Sequence, residues 1–466
     1  MEQESQEVQQ LEGYLNNYLI KKKIESYEKE LKIEKEQEHQ AQETMAYYEQ
    51  ALEIAKERKD QDQETSAYLE LGDASRLNKK FETAIKYYEQ ALEIAKERKD
   101  QDQETRAYLG LGNACRLNKK FETAIKYHEQ ALEIAKERKD QDQETRAYLG
   151  LGDACRLNNK FETAIKCYEQ ALEIAKERKD QDQEARAYLR LGDVYRFNNQ
   201  FETAIKYYEQ ALEIAKKRKD QVRETKAYLG LGNACRLNKK FETAIKYCEQ
   251  ALEIAKERKD QDQETRAYFG LGDVYSFNNQ FETAIKYYEQ ALEIAKERKD
   301  QDQETKAYLG LGLVYRLNNQ FETAIKYYEQ ALEIAKERKD QDQETKVYLN
   351  LGRVYRLNNH LETAIKYNEQ ALEIAKERKD QDQETKAYLG LGGVYGLNNQ
   401  IETAIKYYEQ ALEIAKERKD QDQETKAYLG LGLVYRLNNQ FETAIKYYEQ
   451  ALEIAKERKD QDQETK

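Results

Sequence analysis

The sequence contains no proline and no tryptophan, and only three histidines and five cysteines among 466 residues. Proline interrupts helices and is common in turns, so its complete absence favours a chain of uninterrupted helices. Charged residues make up 36 % of the sequence, and such a composition favours amphipathic helices over strands. These features predict an all-α protein.

The sequence also lacks the features of exported, membrane and nucleic-acid-binding proteins. No apolar run approaches the ~20 residues of a membrane span, and the N-terminal stretch MEQESQEVQQ has neither the basic nor the apolar region of a signal peptide. The net charge of −12 is spread evenly along the chain. We therefore predict a cytoplasmic protein whose partners are neither membranes nor nucleic acids.

Residues that carry catalysis or bind metals are too few and too scattered to form a site. His39, His128 and His360 fall in different copies of an internal repeat, so no nucleophile can be paired with a base. The cysteines occupy positions at which other copies have tyrosine, which indicates reduced core side chains rather than disulfides. They are Cys115, Cys155, Cys167, Cys235 and Cys248. We predict no enzyme activity, no cofactor and no metal.

The segment EQALEIAKERKDQDQET, which starts at Glu289, recurs every forty residues along most of the chain. A period of twenty to fifty residues is typical of solenoids, in which each repeat buries its apolar face only against its neighbours. Residues 61–466 contain ten repeats, which we number from repeat 1 at Gln61 to repeat 10 at Gln421.

Each repeat is predicted to form two helices, A and B. In repeat 7, helix A spans 304–317 and ends at Asn318–Asn319, where a left-handed residue is expected. Helix B spans 321–338, because its apolar residues follow steps of three and four. Asp340 and the glutamine three residues later indicate the cap of the next helix A.

The two ends of the chain depart from this pattern. Residues 1–40 resemble a degenerate first repeat, and residues 41–60 join the start of one helix to the end of another, with nineteen residues missing at the join. A single long helix is predicted over about 19–59. At the other end, residues 461–466 resemble the start of a further helix A, so the last helix B has no successor. Either the chain is a fragment, or this uncapped apolar end associates end to end with another molecule.

The repeats resemble the tetratricopeptide-repeat (TPR) family. In repeat 7 the family pattern is met by Tyr308, Leu311–Gly312 and Tyr315 in helix A, followed by Ala324, Tyr328 and Ala331 in helix B. The resemblance implies a right-handed superhelical α-solenoid of TPR helix pairs. A small glycine and alanines allow close helix contacts, and the large rings fill the spaces between the helices.

The period of forty residues, rather than the usual 34, resembles the Pins/LGN G-protein-signalling modulators and related long TPR proteins. Those adaptors bind extended peptides in a concave groove. Their GoLoco motifs for Gα subunits have no counterpart after Thr465, so Gα binding is not transferred to this chain.

By this resemblance, one face of each helix A lines the groove. Its first position is basic in repeats 2–10, and its central position is polar in repeats 1–6 and apolar or mixed in repeats 7–10. The residues predicted to line the groove are Arg106, Leu109, Asn113, Arg146, Asp153, Arg186, Arg190, Asp193, Lys226, Asn233, Arg266, Asp273, Lys306, Leu313, Lys346, Asn350 and Arg353. An alternative is that the copies arose by recent duplication and that these differences are neutral drift.

Two departures from known grooves limit the ligand. The asparagines of the Pins/LGN type are replaced by glycine at most equivalent positions, such as Gly110, and only Asn350 retains one. The lysine of the chaperone-binding type is replaced by leucine, as at Leu109, so the carboxylate clamp for acidic C-termini is incomplete.

The sequence therefore predicts an adaptor or scaffold that binds an extended or helical peptide with acidic and apolar residues. The alternative is a structural rod that self-assembles without a dedicated ligand. A helical-repeat RNA-binding protein would need a basic face, which the overall acidity does not support.

Overall fold

The computed structural model describes residues 43–464, with side chains described to residue 456. The first described helix, α1, covers 43–58. The part of the predicted long helix that lies before residue 43, and the predicted degenerate repeat at 1–40, lie outside the described residues. Among the described helices, none combines the length and the hydrophobicity that a membrane span requires.

Ten pairs of helices follow α1, with one helix A and one helix B in each repeat. Helices A are α2 (Gln61–Leu77), α4 (Gln101–Leu117), α6 (Gln141–Leu157), α8 (Gln181–Phe197), α10 (Gln221–Leu237), α12 (Gln261–Phe277), α14 (Gln301–Leu317), α16 (Gln341–Leu357), α18 (Gln381–Leu397) and α20 (Gln421–Leu437). Helices B are α3 (Phe81–Glu97), α5 (Phe121–Glu137), α7 (Phe161–Glu177), α9 (Phe201–Lys217), α11 (Phe241–Glu257), α13 (Phe281–Glu297), α15 (Phe321–Glu337), α17 (Leu361–Glu377), α19 (Ile401–Glu417) and α21 (Phe441–Glu464). The predicted all-α solenoid of helix pairs is confirmed.

The start of each helix A is set by an aspartate cap. The Asp340 carboxylate accepts hydrogen bonds from the backbone N–H groups of Asp342 and Gln343, which would otherwise have no partner in the first turn of α16. The cap was predicted correctly, but helix A of repeat 7 begins at Gln301, three residues before the predicted start. The reason is that the polar segment QDQ already forms the first helical turn behind the cap.

Each of the helices α1 to α20 is followed by a residue with a left-handed backbone. Asn319 has φ 56°, as predicted, and Lys299 occupies the same conformation at the end of α13 with φ 50°. The backbone N–H of Gln320 donates to the carbonyl of Tyr315 at 2.8 Å, and that of Asn319 donates to Arg316 at 3.2 Å. These bonds satisfy the last carbonyls of helix A and turn the chain tightly into helix B.

The last helix differs from the other helices B. The segment equivalent to a loop and the start of helix A continues α21 up to Glu464, so the helix A expected from residue 461 is not formed. In the other repeats a following helix A packs on helix B and holds the left-handed lysine between them. By continuing as a right-handed helix, α21 avoids the left-handed backbone that costs a lysine about 1–2 kcal/mol.

The chain divides into two compact units, one that ends at Lys239 and one that begins at Lys240. Within each unit a helix packs on the next helix along the chain, and consecutive helices A approach one another more closely than consecutive helices B do. Helices A therefore lie on the inner side of each unit, and helices B lie on the outer side.

The core of each unit forms from the small and large residues that the pattern predicts. Ala324, Ala331 and Tyr328 of α15 are fully buried, and they pack with apolar residues of α14 and α16. Lys336, near the end of α15, also stabilises this core, because its Nζ lies 5.5 Å from the ring centre of Tyr348 in the next helix A. This cation–π contact covers one edge of the buried tyrosine.

Candidate functional site

The surface available on the inner side of each unit is one narrow stripe along each helix A. In α4 this stripe contains Arg106, Gly110, Asn113 and Leu117, whose positions differ by only 60° around the helix at 100° per residue. We call it the inner stripe. In repeats 2–10 it has a basic position, a small position, a variable position and an apolar position, in that order along helix A, and the small position is larger only at Arg190 and Asn350.

Every groove residue that the sequence predicts at the basic position is exposed to solvent. Exposed at this position are Arg106, Arg146, Arg186, Lys226, Arg266, Lys306 and Lys346. Several of them form ion pairs on the surface, as in Arg146 with Asp142 at 3.0 Å, Arg186 with Asp182 at 3.2 Å, and Lys346 with Asp342 at 2.7 Å. Exposed pairs of this kind contribute at most about 1 kcal/mol, so these bases can exchange partners at little cost.

The small position of the inner stripe is explained by packing. The ring of Tyr88 in helix B lies between Gly72 of its own repeat and Gly110 of the next, and a Cβ added at either glycine would come within 2.6 Å of the ring. Each unit therefore holds its helices A together through a buried ring that fits against two glycines. This packing accounts for the missing asparagine of the Pins/LGN type, because a side chain at most of these positions would meet that ring.

Two groove residues replace this glycine, Arg190 and Asn350. The guanidinium of Arg190 lies in the inner surface, with its Nε 3.2 Å from an oxygen of Asp153. Asn350 donates from its side chain to the carbonyl of Lys346 at 3.0 Å. Around Asn350, α16 packs less closely on α15 than the equivalent helices A do on the helices before them.

In repeats 1, 3, 4 and 6 the variable position is aspartate for a structural reason. The buried tyrosine of helix B donates its hydroxyl proton to the aspartate of its own repeat, and the Tyr208–Asp193 distance is 2.7 Å. The same bond joins Tyr88 to Asp73 and Tyr168 to Asp153 at 2.8 Å, and Tyr288 to Asp273 at 2.5 Å. Each of these aspartates therefore uses one carboxylate oxygen to bond a buried tyrosine, and Asp153 is only 6 % exposed.

Asparagine takes the variable position only where the tyrosine is absent. Asn113 shares repeat 2 with His128, and Asn233 shares repeat 5 with Cys248. The pairing of aspartate with tyrosine, and of asparagine with histidine or cysteine, is visible in the sequence. This co-occurrence is the signal in the sequence from which the contact between the two side chains can be predicted.

His128 is fully buried, and burial, followed by the nearby positive charge of Arg116, lowers its pKa to about 4. The predicted core role of the cysteines is confirmed, because all five are buried free thiols. Burial raises the pKa of Cys155 to about 11 and that of Cys167 to about 12, so these thiols are unreactive.

Two predicted groove residues are buried, namely Asp153, which accepts the bond from Tyr168, and Leu109. Leu109 is 9 % exposed and belongs to the hydrophobic core shared by α2, α4 and their neighbours. It lies at the margin of the inner stripe, so its side chain turns between the helices and not toward the solvent. Leu313 and Asn350 are partly exposed, and Arg353 is exposed.

The apolar position of the inner stripe lies on the face predicted from the sequence, but none of its residues was predicted as a site residue. Large side chains remain 36–73 % exposed there in eight of the ten repeats. They are Leu77, Leu117, Leu157, Phe197, Phe277, Leu357, Leu397 and Leu437. Arginines precede most of them, and the guanidinium carbons of Arg156 and Arg196 lie 5.2 Å and 4.2 Å from the ring centre of Phe197.

Comparisons with known proteins identify the family. Tetratricopeptide-repeat profiles match residues 63–137, 103–177, 143–217, 189–263 and 383–457, and the profile of the MalT-like TPR region matches 232–394. The chain is a TPR protein. A comparison with curated protein sequences found no match.

Solved structures also share the fold of this TPR protein. The apo form of the quorum sensor NprR from B. thuringiensis is 17 % identical, with a TM-score of 0.51, over 86 % of this chain and 99 % of that chain. A Rap protein complexed with Competence and Sporulation Factor is 17 % identical, with a TM-score of 0.50, over 77 % and 99 %. At these identities the likeness shows the fold alone.

In the part of the TPR protein that the structure describes, no group of histidine, cysteine and acidic residues has the arrangement of a metal site. What the inner stripe offers is a surface for contacts. It combines exposed bases, exposed apolar side chains and a variable position whose charge changes from repeat to repeat.

Proposed function

We propose that this TPR protein is a cytoplasmic adaptor, without enzyme activity, that binds a peptide segment of a protein partner on the inner surface of its helices A. The observation that carries the proposal is the row of exposed apolar side chains at the apolar position of the inner stripe. Burial would stabilise these side chains, yet the fold leaves them exposed in eight repeats. Contiguous exposed apolar surface beside charged residues marks interaction sites.

The chemistry of the stripe favours a peptide that is extended or helical and carries both acidic and apolar residues. The exposed bases at the first position would pair with carboxylates, and the leucines and phenylalanines would contact apolar side chains. The Rap protein of similar fold is complexed with Competence and Sporulation Factor. Membership of the Pins/LGN subclass remains a prediction, and it supports the same type of ligand.

A peptide array tests the proposal. Tiled peptides of about fifteen residues are probed with the labelled intact protein and with a variant in which Leu77, Leu117 and Leu157 are changed to Gln. The control variant changes Lys86, Lys126 and Lys166 to Gln, which are exposed residues of helices B. We expect peptides with acidic and apolar residues to bind the parent and the control, and to bind the leucine variant at least tenfold more weakly.

A second variant tests the bases, by changing Arg106, Arg146 and Arg186 to Glu. Retained binding by both the leucine and the arginine variants, or an array on which no peptide binds, would refute the adaptor. In either case circular dichroism must show that the variants remain helical.

A structural rod is the second candidate, and α21 is the observation that favours it. Phe441, Ile445 and Leu452 are 58 %, 55 % and 54 % exposed, so this helix presents an apolar face that a second copy could cover. Light scattering separates the two functions. The adaptor keeps one mass over a wide range of concentration, whereas the rod gains mass as its concentration rises.

A further inference from the structure

The charge at the variable position of the inner stripe changes along the chain. In repeat 1 the arginine that follows this position is neutralised inside its own helix, because Arg76 lies 2.7 Å from Asp73. Repeat 4 repeats the arrangement, with Arg196 3.6 Å from Asp193 and its Nε 3.4 Å from the hydroxyl of Tyr208. In these copies the protein supplies its own carboxylate between a buried phenol and a guanidinium.

Repeat 7 keeps the phenol and the guanidinium, and repeat 8 keeps the guanidinium with Asn368 in place of the phenol, but neither has such a carboxylate. Leu313 replaces the aspartate beside Tyr328, and Arg353 takes the equivalent position in the next helix A. Among the side chains described between residues 43 and 456, no carboxylate lies within 4.0 Å of the basic groups of Arg316, Arg353 or Arg356. The Nε of Arg316 and the hydroxyl of Tyr328 are both buried and face each other, and neither has a carboxylate partner.

Arg353 and Arg356 lie one turn apart on α16, and Arg316 lies on the helix A before it. The side chain of Arg353 reaches solvent, but the loss of part of its hydration, and then the positive charges of Arg316 and Arg356, lower its pKa. Like charges held together in this way are unfavourable unless an anion lies between them. A carboxylate is the anion that guanidinium groups bind with two parallel hydrogen bonds.

The surroundings leave room for such a ligand. In the following helix A, α18, the positions equivalent to Arg353 and Arg356 are Gly393 and Gly396. At these two positions α18 therefore has no side chain that would neutralise Arg356. A Cβ added at Gly393 would meet only the hydroxyl of Tyr408 at 3.4 Å and the Cδ of Arg356 at 3.9 Å. On the other side, α16 packs less closely on α15 than the equivalent helices A do on the helices before them.

We propose that Arg316, Arg353 and Arg356 form the site at which the inner surface binds an acidic side chain of its peptide, an aspartate or a glutamate. Leu357, which is 45 % exposed beside Arg356, contacts an apolar residue next to that acid in the peptide. The inference rests on the proposed function, because the ligand is the adaptor's peptide. It adds the position at which the acid binds and explains why this position is in repeats 7 and 8.

The chain supplies its own test. The substitution Leu313→Asp restores the aspartate that repeats 1, 3, 4 and 6 possess, and it places a carboxylate where Tyr328 and Arg316 can bind it. The matched control is Leu433→Asp, the same change in repeat 10, where the next helix A and its arginines are absent from the described residues. Arg353→Gln removes the central base without adding a charge.

The probe is the peptide array, with every peptide also synthesised with Asn and Gln in place of Asp and Glu, and with phosphoserine in place of each acid. We expect the parent to bind the acidic peptides at least tenfold more tightly than their amide versions. Leu313→Asp and Arg353→Gln should each remove this preference, whereas Leu433→Asp should retain it.

Three results would overturn the inference. Equal binding of acidic and amide peptides by the parent protein would refute the acidic ligand, while leaving the adaptor intact if the leucine variant of the previous test still loses binding. An unchanged preference in Leu313→Asp would place the acid elsewhere. Tighter binding of phosphoserine than of glutamate would replace the carboxylate by a phosphate. Failure of every peptide to bind would instead refute the proposed function itself.

Discussion

The fit of a buried tyrosine between two helices A predicts opposite effects of the same substitution at two glycines. A Cβ at Gly310 would lie 2.3 Å from the ring of Tyr288, which is 2 % exposed and whose hydroxyl is held by Asp273 at 2.5 Å. The ring cannot move aside without breaking this bond. A Cβ at Gly393 would meet its nearest atom, the hydroxyl of Tyr408, at 3.4 Å, which is an ordinary contact.

Both glycines lie inside helices, so replacing either with alanine gains about 1 kcal/mol of helix propensity. For Gly393→Ala this gain stands alone, and we expect a free energy of unfolding about 1 kcal/mol higher than that of the parent. For Gly310→Ala, overpacking costs about 1–3 kcal/mol, so the net change is a loss of about 0–2 kcal/mol. The difference between the two variants, about 1–3 kcal/mol, isolates the cost of the overpacked contact because the propensity term cancels.

The assay is urea unfolding of the intact protein, followed by circular dichroism at 222 nm. The transition of Gly310→Ala should occur at a lower urea concentration than that of Gly393→Ala. If Gly310→Ala is as stable as Gly393→Ala, the ring does not need the glycine, and the packing explanation of the missing asparagines is wrong.

Two further predictions concern the backbone and a buried base. Lys299 has φ 50°, a conformation that costs a lysine about 1–2 kcal/mol, so Lys299→Gly should raise the urea midpoint, whereas Arg298→Gly, with φ −83° in the same loop, should lower it. His128 is neutral when folded because its pKa is lowered to about 4, whereas an unfolded histidine binds a proton near pH 6.5. Between these two pH values the unfolded state therefore binds more protons than the folded state. The free energy of unfolding falls as the pH drops from about 6.5 to 4, by about 3 kcal/mol in total. His128→Tyr should remove this part of the pH dependence of unfolding, and an unchanged dependence would show that His128 is not its source.

The local structure of this protein could be predicted almost completely from its sequence. The forty-residue period, the alternation of helices A and B, the aspartate caps such as Asp340 and the left-handed Asn319 all depend on neighbouring residues. Each of them is governed by hydrogen bonds within a turn or by the apolar stripe of a single helix. Even the bond between Tyr208 and Asp193 left a signal, because aspartate and tyrosine occur together in the same repeats.

Whether a candidate site residue is exposed to solvent depends on the tertiary structure. Leu109 belongs to the predicted face by helical geometry, yet the neighbouring helices bury it, whereas Leu117 on the same face remains 37 % exposed. Arg353 and Arg356 lie one turn apart in the same repeat, whereas Arg316 belongs to the repeat before it, and only the packing of neighbouring repeats brings its charge near theirs. The sequence determined the helices because the hydrogen bonds of a helix join residues close together in the chain. The functional surface depends on contacts between residues about forty positions apart. The repeat pattern shows that such contacts exist, but it does not show which side chains remain exposed to solvent.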